Sequence, residues 1–300
     1  MSGLIDIKTR SGFIALAGRP NVGKSTLTNA MVGSKVAIVS DKPQTTRRAI
    51  RAVANGEDWQ LVLVDLPGVQ RPKDALTERM QRRVERELDG ADGCLMVLNA
   101  EQGMGPGDRF IAQLLKGANV PIVIAVNKVD RTTPSKTAEI LQAAEELGIA
   151  ESIFPISARR GTGVESLLDH LVSLLPVGPY YFDANQRSDQ SDSVLLAELV
   201  REQVLVRTRE EVPHAVEVEI LAIDDQPDGL IRIEALLLVE TDSQKGILIG
   251  AGGRMIKAIG IGARRTLERE LGTHVHLALS VAVRRNWRAD ERLLDRLGIE

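Results

Sequence analysis

Cysteine is almost missing from this chain: Cys94 stands alone, so no disulfide can form within one molecule and a packed core has to hold the fold. Cys94 lies in an apolar run, 94–98, and reads as a buried, inert thiol. Long hydrophobic runs are missing too, since none approaches the roughly 20 residues that a spanning helix requires. The first thirty residues lack a secretory pattern, and the expectation is a soluble, cytoplasmic protein. Aromatic residues make up only 3%, and no strongly amphipathic aromatic helix argues for a membrane-surface role. Charge of one sign is absent as well. A net charge of −3 does not advertise nucleic acid as a partner, so any basic surface must be local. What remains is a globular composition, 43% hydrophobic and 26% charged, in 300 residues, more length than one core ordinarily needs. Two domains follow.

The stretch GRPNVGKS at 18–25 obeys G-x-x-x-x-G-K-[ST] and sits between an apolar run, 13–17, and a helix-like segment that starts near Lys24. Strand, loop and helix N-terminus together surround a polyphosphate with backbone N–H groups and the positive end of the helix dipole. Gly18 and Gly23 allow close backbone approach. Gly18, Arg19, Pro20, Asn21, Val22, Gly23, Lys24, Ser25 and Thr26 form the candidate cradle. Lys24 reaches the β- and γ-phosphates, and the Ser25 hydroxyl ligates Mg²⁺. The bland alternative, a glycine-containing turn that binds nothing, is outweighed by the flanking strand and helix.

Positions 34–48 lose helical periodicity and read as a mobile loop that orders with a triphosphate bound. Within it Thr46, or alternatively Thr45, offers its hydroxyl to Mg²⁺; taken alone, an ordinary surface loop is the stronger reading. The run 59–65 reads as a buried strand ending in Asp65, placed to hold Mg²⁺ through water, and the Gly68 N–H behind it meets the γ-phosphate. Runs at 94–98 and 120–126 alternate with amphipathic segments at 74–90 and 107–118, the rhythm of a parallel α/β sheet. The second run ends in Asn127, Lys128 and Asp130. A carboxylate at Asp130 accepts from both N1–H and the exocyclic amine of guanine, whereas adenine has no N1–H to give. Asn127 either reaches guanine N7 or ties the loop together, and the Lys128 stem covers the base. A strand-like 153–156 leads into Ser157, Ala158 and Arg159, where the Ala158 N–H is a donor for guanine O6.

Positions 175–193 start with proline and glycine and continue as a polar tract, an interdomain connection docked through Tyr180, Tyr181 and Phe182. Helical spacing at 194–206 is followed by strand-like alternation at 215–220 and 231–239, joined by a turn-rich 224–229. Gly250, Ala251, Gly252 and Gly253 then separate two apolar helical turns. Such a loop brings its backbone against a sugar-phosphate chain, and the groove beside it takes single-stranded bases. Ile249, Arg254 and Lys257 flank it. A dinucleotide fingerprint fails because Met255 occupies its last glycine position, and a plain glycine hinge is the bland competitor. From 245 to 300 eleven basic side chains face six acidic ones, a net +5 that includes Arg284 and Arg285 beside Trp287.

At these strand ends and in this order, the first-half motifs resemble the translation-factor-like P-loop GTPases over about 10–176, which implies a six-stranded, mostly parallel sheet flanked by helices. The order helix, strand, strand, helix, G-x-x-G, helix, strand resembles a type II KH domain. A GTPase followed by a KH domain is similar to the Era family across nearly the whole chain, including PQTTR at 43–47 and the closing 287–298. The fold expected is therefore α/β, a P-loop GTPase domain over 1–176, a linker over 177–193, and a smaller α+β KH domain with a C-terminal tail over 194–300. The resemblance implies GTP and GDP as ligands, and hydrolysis by a set comprising Lys24, Asn21, Thr46 and Gly68. It implies the 3′ end of small-subunit ribosomal RNA and the assembling 30S subunit as partners; a monomer is expected, and peripheral contact with the inner face of the cell membrane is kept open. Val69 stands where small signalling GTPases carry a water-orienting Gln, so slow intrinsic turnover is expected. In related potassium-activated GTPases an Asn at the position of Asn21 coordinates K⁺ in place of an arginine finger; the competing reading is that Asn21 only braces the loop. The chain departs from the family at Leu66 and Gln70, usually Thr and His, and at Asn286, usually Gly. The alternatives kept open are an RNA-binding assembly factor with an inactive nucleotide site, or a related GTPase acting on another RNA or at a membrane surface.

Overall fold

The apolar runs of the first half meet in one sheet. The computed structural model describes residues 9–40, 42, 45–66 and 75–299, with backbone alone at 75, 77, 80, 81 and 83–85. Strands β1 (Arg10–Ala17), β2 (Ile50–Asn55), β3 (Trp59–Asp65), β4 (Gly93–Asn99), β5 (Ile122–Asn127) and β6 (Ser152–Pro155) lie in the order β2-β3-β1-β4-β5-β6. β2 runs antiparallel to β3 and the other pairs are parallel, so the sheet is six-stranded and mostly parallel as expected. Alternate residues face two separate cores. Ile14, Leu16, Leu63 and Val97 pack with Leu27 of α1 (Lys24–Val32) on one side. Ala15, Ala17, Met96 and Ile124 face the opposite core. α2 (Ala75–Asp89), α3 (Pro106–Leu115), α4 (Pro134–Glu145) and α5 (Val164–Leu174) complete the layers. Leu167 and Leu171 of α5 join the first core, and Ile111 of α3 and Ile140 of α4 the second. Burial on both faces explains why these strands read as continuous apolar runs. β5 begins two residues later than its apolar run, after Pro121, whose carbonyl accepts from the Cys94 N–H at 2.9 Å.

The second half is built from α6 (Asp192–Arg207), α7 (Val212–Ala215), β7 (Glu217–Asp225), β8 (Ile231–Val239), α8 (Asp242–Ile249), α9 (Arg254–Leu271), β9 (Val275–Val283) and α10 (Glu291–Arg296). β7 and β8 are antiparallel, while β9 returns parallel to β8. A parallel return needs a crossover, which α8 and α9 supply. Ile233, Ala235, Leu237 and Val239 alternate into a core with Leu199, Val200 and Val204 of α6 and Ile259, Ala263 and Leu267 of α9. The first strand starts later than its sequence pattern, because Pro213 turns Val212–Ala215 into a short helix. It also runs on to Asp225, past an irregularity between Ile220 and Ala222. By length and composition Asp242–Leu271 is apolar enough to cross a membrane. Positive φ at Gly250 (70°), Gly252 (60°) and Gly253 (75°) breaks it in two, and Leu248, Ile259 and Leu267 enter the core instead. Asn286 stands at φ 54°, a conformation glycine adopts freely and asparagine tolerates, so the departure from the family's glycine leaves the turn intact. Behind it Trp287 is buried, its indole N–H donating to the Ala215 carbonyl at 2.8 Å.

The chain divides into two compact units along lines other than 1–176, 177–193 and 194–300. Residues through Asp189 sort with the first unit. The Val53 N–H donates to the Arg187 carbonyl at 2.9 Å and the Asp189 N–H to the Arg51 carbonyl at 3.1 Å. The polar tract thus covers the free edge of β2, as edge strands need. Tyr181 and Phe182 give their N–H groups to the buried Gln60 side chain at 2.8 and 2.9 Å. Conversely, Ile38–Thr45 and Pro72–Arg79 group with the second unit.

Cys94 is 1% exposed, and burial pushes its thiol up to about 12. The native protein is expected to stay unlabelled by a thiol-specific disulfide reagent at pH 8 and to take up one equivalent in denaturant. Rapid native labelling counts against this core.

Candidate nucleotide site and nucleic-acid interface

β1 delivers its carboxyl end to the phosphate loop, and α1 begins at Lys24. Asn21 and Gly23 stand at φ 64° and 103°. Val22 is buried in the first core, so the loop is pinned from below. Lys24 donates through Nζ to the carbonyls of Gly18 (3.0 Å) and Arg19 (3.3 Å). Burial pulls its ammonium down to about 8, with Asp65 opposing. The Ser25 and Thr46 hydroxyls are 3.0 Å apart, whereas the Thr45 hydroxyl donates to the Lys42 carbonyl at 2.6 Å. Of the two threonines, Thr46 is the one at Ser25. Asp65 is fully buried. Burial raises its pKa against the pull of the Lys24 ammonium and of the Ser25 hydroxyl. A buried carboxylate beside the Ser25 hydroxyl, which itself meets the Thr46 hydroxyl, is an oxygen donor set that suits a hard divalent cation. The Arg19 side chain turns away from the cradle: Nε donates to Asp108 at 2.8 Å and Nη2 to the Gly103 carbonyl at 3.3 Å. Its place in the cradle is therefore limited to its backbone. Pro20 and Thr26 are partly buried in the loop and in α1. Gly68, with Pro43, Gln44, Val69 and Gln70, lies outside the described residues. Leu66 is fully buried in the second core, a position an apolar side chain fills without an unpaired hydroxyl.

β5 and β6 bring the base loops together. Asn127, 2% exposed, uses both ends of its amide: Nδ2 donates to the Val22 carbonyl at 2.9 Å, and Oδ1 accepts from Lys128 N–H at 2.8 Å and Ala158 N–H at 3.0 Å. Of its two sequence readings, the structure has the loop tie. A guanine O6 would have to share the Ala158 N–H with Asn127. Lys128 stands at φ 67° and donates through Nζ to the Asn21 carbonyl at 2.6 Å. The Ser157 hydroxyl donates to Asp130 at 2.7 Å, and the Arg160 guanidinium is 3.6 Å away. The Ser157 bond is the main reason that the Asp130 pKa is lowered. Arg159 is exposed. Sequence reasoning missed Asp108 and Arg160. Asp108 carries a signal, an acid in the first turn of a proline-led helix, and it also accepts from the Gly105 N–H at 2.8 Å; its pairing with Arg19 spans 89 positions and has none.

In the second unit Ala251, Gly252 and Arg254 are exposed at the joint between α8 and α9, with Ile249, Gly250 and Gly253 partly so. Beside it Ile256, Lys257, Gly260, Ile261 and Arg264 of α9 and Leu277 and Leu279 of β9 line an open groove of about 340 Å³. An apolar floor with two cations at its side is the surface an unstacked base and its phosphate can use. The basic excess is smaller in effect than its count suggests. Arg284 pairs with Asp290 at 3.0 Å, Arg288 with Glu240 at 2.8 Å and Arg269 with Glu270 at 2.9 Å. Arg284, a candidate RNA contact, is thus tied into the tail, and Arg285 is exposed beside it.

Phosphate loop, buried strand-end acid, a loop carboxylate held by Ser157 and a glycine-jointed helix pair across a β7-β8-β9 sheet define a class: a P-loop GTPase unit followed by a type II KH unit. Comparison with known proteins agrees. The 50S ribosome-binding GTPase family matches residues 13–128 and the KH domain family residues 211–288. The chain is 44% identical over 291 residues to the GTPase Era of Lactobacillus helveticus, covering 97% of this chain and 96% of that protein. It is 44% identical over 294 residues to that of Mycobacterium tuberculosis, covering 96% and 98%. Among solved structures, an Aquifex aeolicus Era variant bound to GDP·AlF₄⁻ superposes with a TM-score of 0.93 at 33% identity, covering 97% of this chain and 99% of that one. An Era in complex with MgGDPNP and nucleotides 1506–1542 of 16S ribosomal RNA gives 0.93 at 34%, with the same coverage. The chain belongs to the Era family of GTPases.

Replacing Asn127 with Ala removes three hydrogen bonds and leaves buried donors and an acceptor unpaired. The expected cost is about 2 kcal/mol, roughly thirtyfold in Kd. Because the tie lies away from the γ-phosphate, GDP and GTP should weaken together in a fluorescent-nucleotide titration. Wild-type GDP affinity would rule out the tie as a determinant of binding.

Proposed function

We propose that this GTPase uses its nucleotide state to gate the binding of single-stranded RNA, the 3′ end of small-subunit ribosomal RNA, during assembly of the 30S subunit. The observation that carries the reading is one chain holding both a phosphate loop with a Ser157-held carboxylate, Asp130, in the loop after β5 and a Gly250–Gly253 loop beside a basic-edged groove. The Era relative solved with MgGDPNP and a 16S fragment supports both ligands. Ser25, Thr46 and Asp65 would hold Mg²⁺, which when bound neutralises charge on the β- and γ-phosphate oxygens. The loop's N–H groups and Lys24 cradle the phosphates; Asp130, oriented by Ser157, selects the base. The reading assigns the protein to the cytoplasm as a monomer, with the membrane's inner face as a secondary contact.

Replacing Ala251 and Gly252 together with Asp puts two carboxylates against the RNA backbone. Gly252 sits at φ 60°, which Asp accepts more readily than most residues. RNA affinity and its salt slope should collapse while GTP hydrolysis without RNA is retained. Unchanged RNA affinity places the RNA elsewhere.

The proposal extends to K⁺ at Asn21, where extra positive charge beside the β–γ bridge does the work of an arginine finger. GTP hydrolysis should be faster in KCl than in NaCl at equal ionic strength, and Asn21→Ala should abolish the difference. Equal wild-type rates in the two salts end the K⁺ reading and leave Asn21 as a loop brace.

A further inference from the structure

Side chains brace the phosphate loop at three places, all of them within the first compact unit. From the base loop, Lys128 donates to the Asn21 carbonyl and Asn127 to the Val22 carbonyl. From α1, Lys24 donates to the carbonyls of Gly18 and Arg19. The start of the loop is held by Arg19, whose guanidinium reaches 89 positions along the chain to Asp108 Oδ1 at 2.8 Å and also donates to the Gly103 carbonyl at 3.3 Å.

α3 and the loop before it form a socket for that side chain. Asp108 is fully buried, and its second oxygen accepts from the Gly105 N–H at 2.8 Å at the start of α3, where the helix dipole also favours a carboxylate. Gly107 leaves the Arg19 stem its path, since a Cβ there would lie 2.7 Å from Arg19 Cδ. α3 itself is anchored by Ile111, Ala112 and Leu115 in the second core. The loop before it is tied to the end of β5, because the Ala100 N–H donates to the Asn127 carbonyl at 2.8 Å. Arg19 thus grips a fixed point. The phosphate loop needs one: Asn21 stands at φ 64°, which a residue other than glycine seldom adopts, and N–H groups converging on one centre repel one another until an anion is bound. Lys24 rests against the Arg19 carbonyl, so a shift of residue 19 also moves the lysine that reaches the phosphates.

We propose that Arg19 is a positioning residue for nucleotide binding: paired with Asp108, it holds the phosphate loop, before the nucleotide arrives, in the shape that accepts a diphosphate. Its guanidinium faces α3, so it acts on the nucleotide through the loop backbone. The inference rests on the reading of residues 18–25 as the seat of the phosphates. With the pair broken, the competent shape becomes a minority and apparent affinity falls by the fraction that remains. A bound nucleotide restores the shape through its own contacts, so the loss is one of uniform binding, seen in KM and not in kcat.

The test compares Arg19→Met, Asp108→Asn, the double variant and Lys24→Ala in the full chain, by fluorescent-GDP titration, steady-state GTP hydrolysis and thermal melting. Either single variant should raise the GDP Kd and the GTP KM about tenfold, with kcat within about twofold of wild type. The double variant should be no worse than a single one, because all three break the same pair. It leaves no buried carboxylate without its arginine, so it decides the matter if Arg19→Met does not fold. A brace that serves stability alone would lower the melting temperature and leave Kd and KM at wild-type values well below the melt. That result, with GDP binding still weakened in Lys24→Ala, overturns the inference and leaves the phosphate loop as read; so does a fall in kcat at unchanged KM, or losses that add in the double variant. Wild-type GDP affinity in Lys24→Ala overturns both.

Discussion

One buried amide holds the nucleotide site together. The side chain of Asn127 joins the phosphate loop at Val22, its own loop at Lys128 and the last loop at Ala158. These segments leave three different strands, and in a parallel sheet strand ends meet at an edge without bonding to one another. A group that donates once and accepts twice, shielded from water, makes a single surface of them. It also explains Gly23. A Cβ there would collide with the amide nitrogen of Asn127, so this glycine serves the base loop as much as the phosphate. The phosphate motif and the base motif, 105 positions apart, are one structural unit.

How much of this was legible in the sequence depended on whether the cause was local. Strand β3 and strand β8 have the ends their patterns give, because alternation and a terminal acid or turn are written next to one another. β2 was not placed in the sequence, where the family resemblance implied only the number of strands. Its residues, Ile50–Asn55, carry a mixed pattern, and their partners are β3 on one edge and the polar tract around Ser188 on the other. Nothing in a tract of Ser, Asp and Gln announces that its backbone will complete a sheet edge. The strand-end positions of Asp65 and Asp130 were legible, since each follows closely on a short apolar run. The brace from Arg19 to Asp108 was not, because a pair so distant in sequence has no spacing to betray it.

The same distinction governs the second unit. Three positive-φ glycines between two apolar helices could be read directly, and they break a stretch otherwise apolar enough to be mistaken for a membrane span. The arginines misled. Counted along the chain they suggest a basic face, yet Arg284, Arg288, Arg269 and Arg296 each lie against a carboxylate, two of those acids, Glu240 and Glu219, coming from outside the 245–300 stretch. Charge counted over a window ignores partners folded in from beyond it. The cations left beside the glycine loop, Lys257 and Arg264 at the groove, are a better guide to where a phosphate chain is met, although Arg264 is itself 4.0 Å from Glu268.

Thr45 and Thr46 divide their labour within one peptide. The Thr45 carbonyl and hydroxyl are occupied by Arg201 and the Lys42 carbonyl, while the next hydroxyl meets Ser25. A peptide is planar and stiff, so fixing the carbonyl on one side narrows the positions open to the residue on the other. On the far side of α6, Gly262 of α9 leaves room for Gln203 and Arg207, and a Cβ there would strike both. α9 in turn starts at the glycine loop. Contiguity of this kind is not itself coupling. It becomes coupling only when the two ends of the chain of contacts favour the same arrangement, and by linkage each ligand must then tighten the other by one common factor.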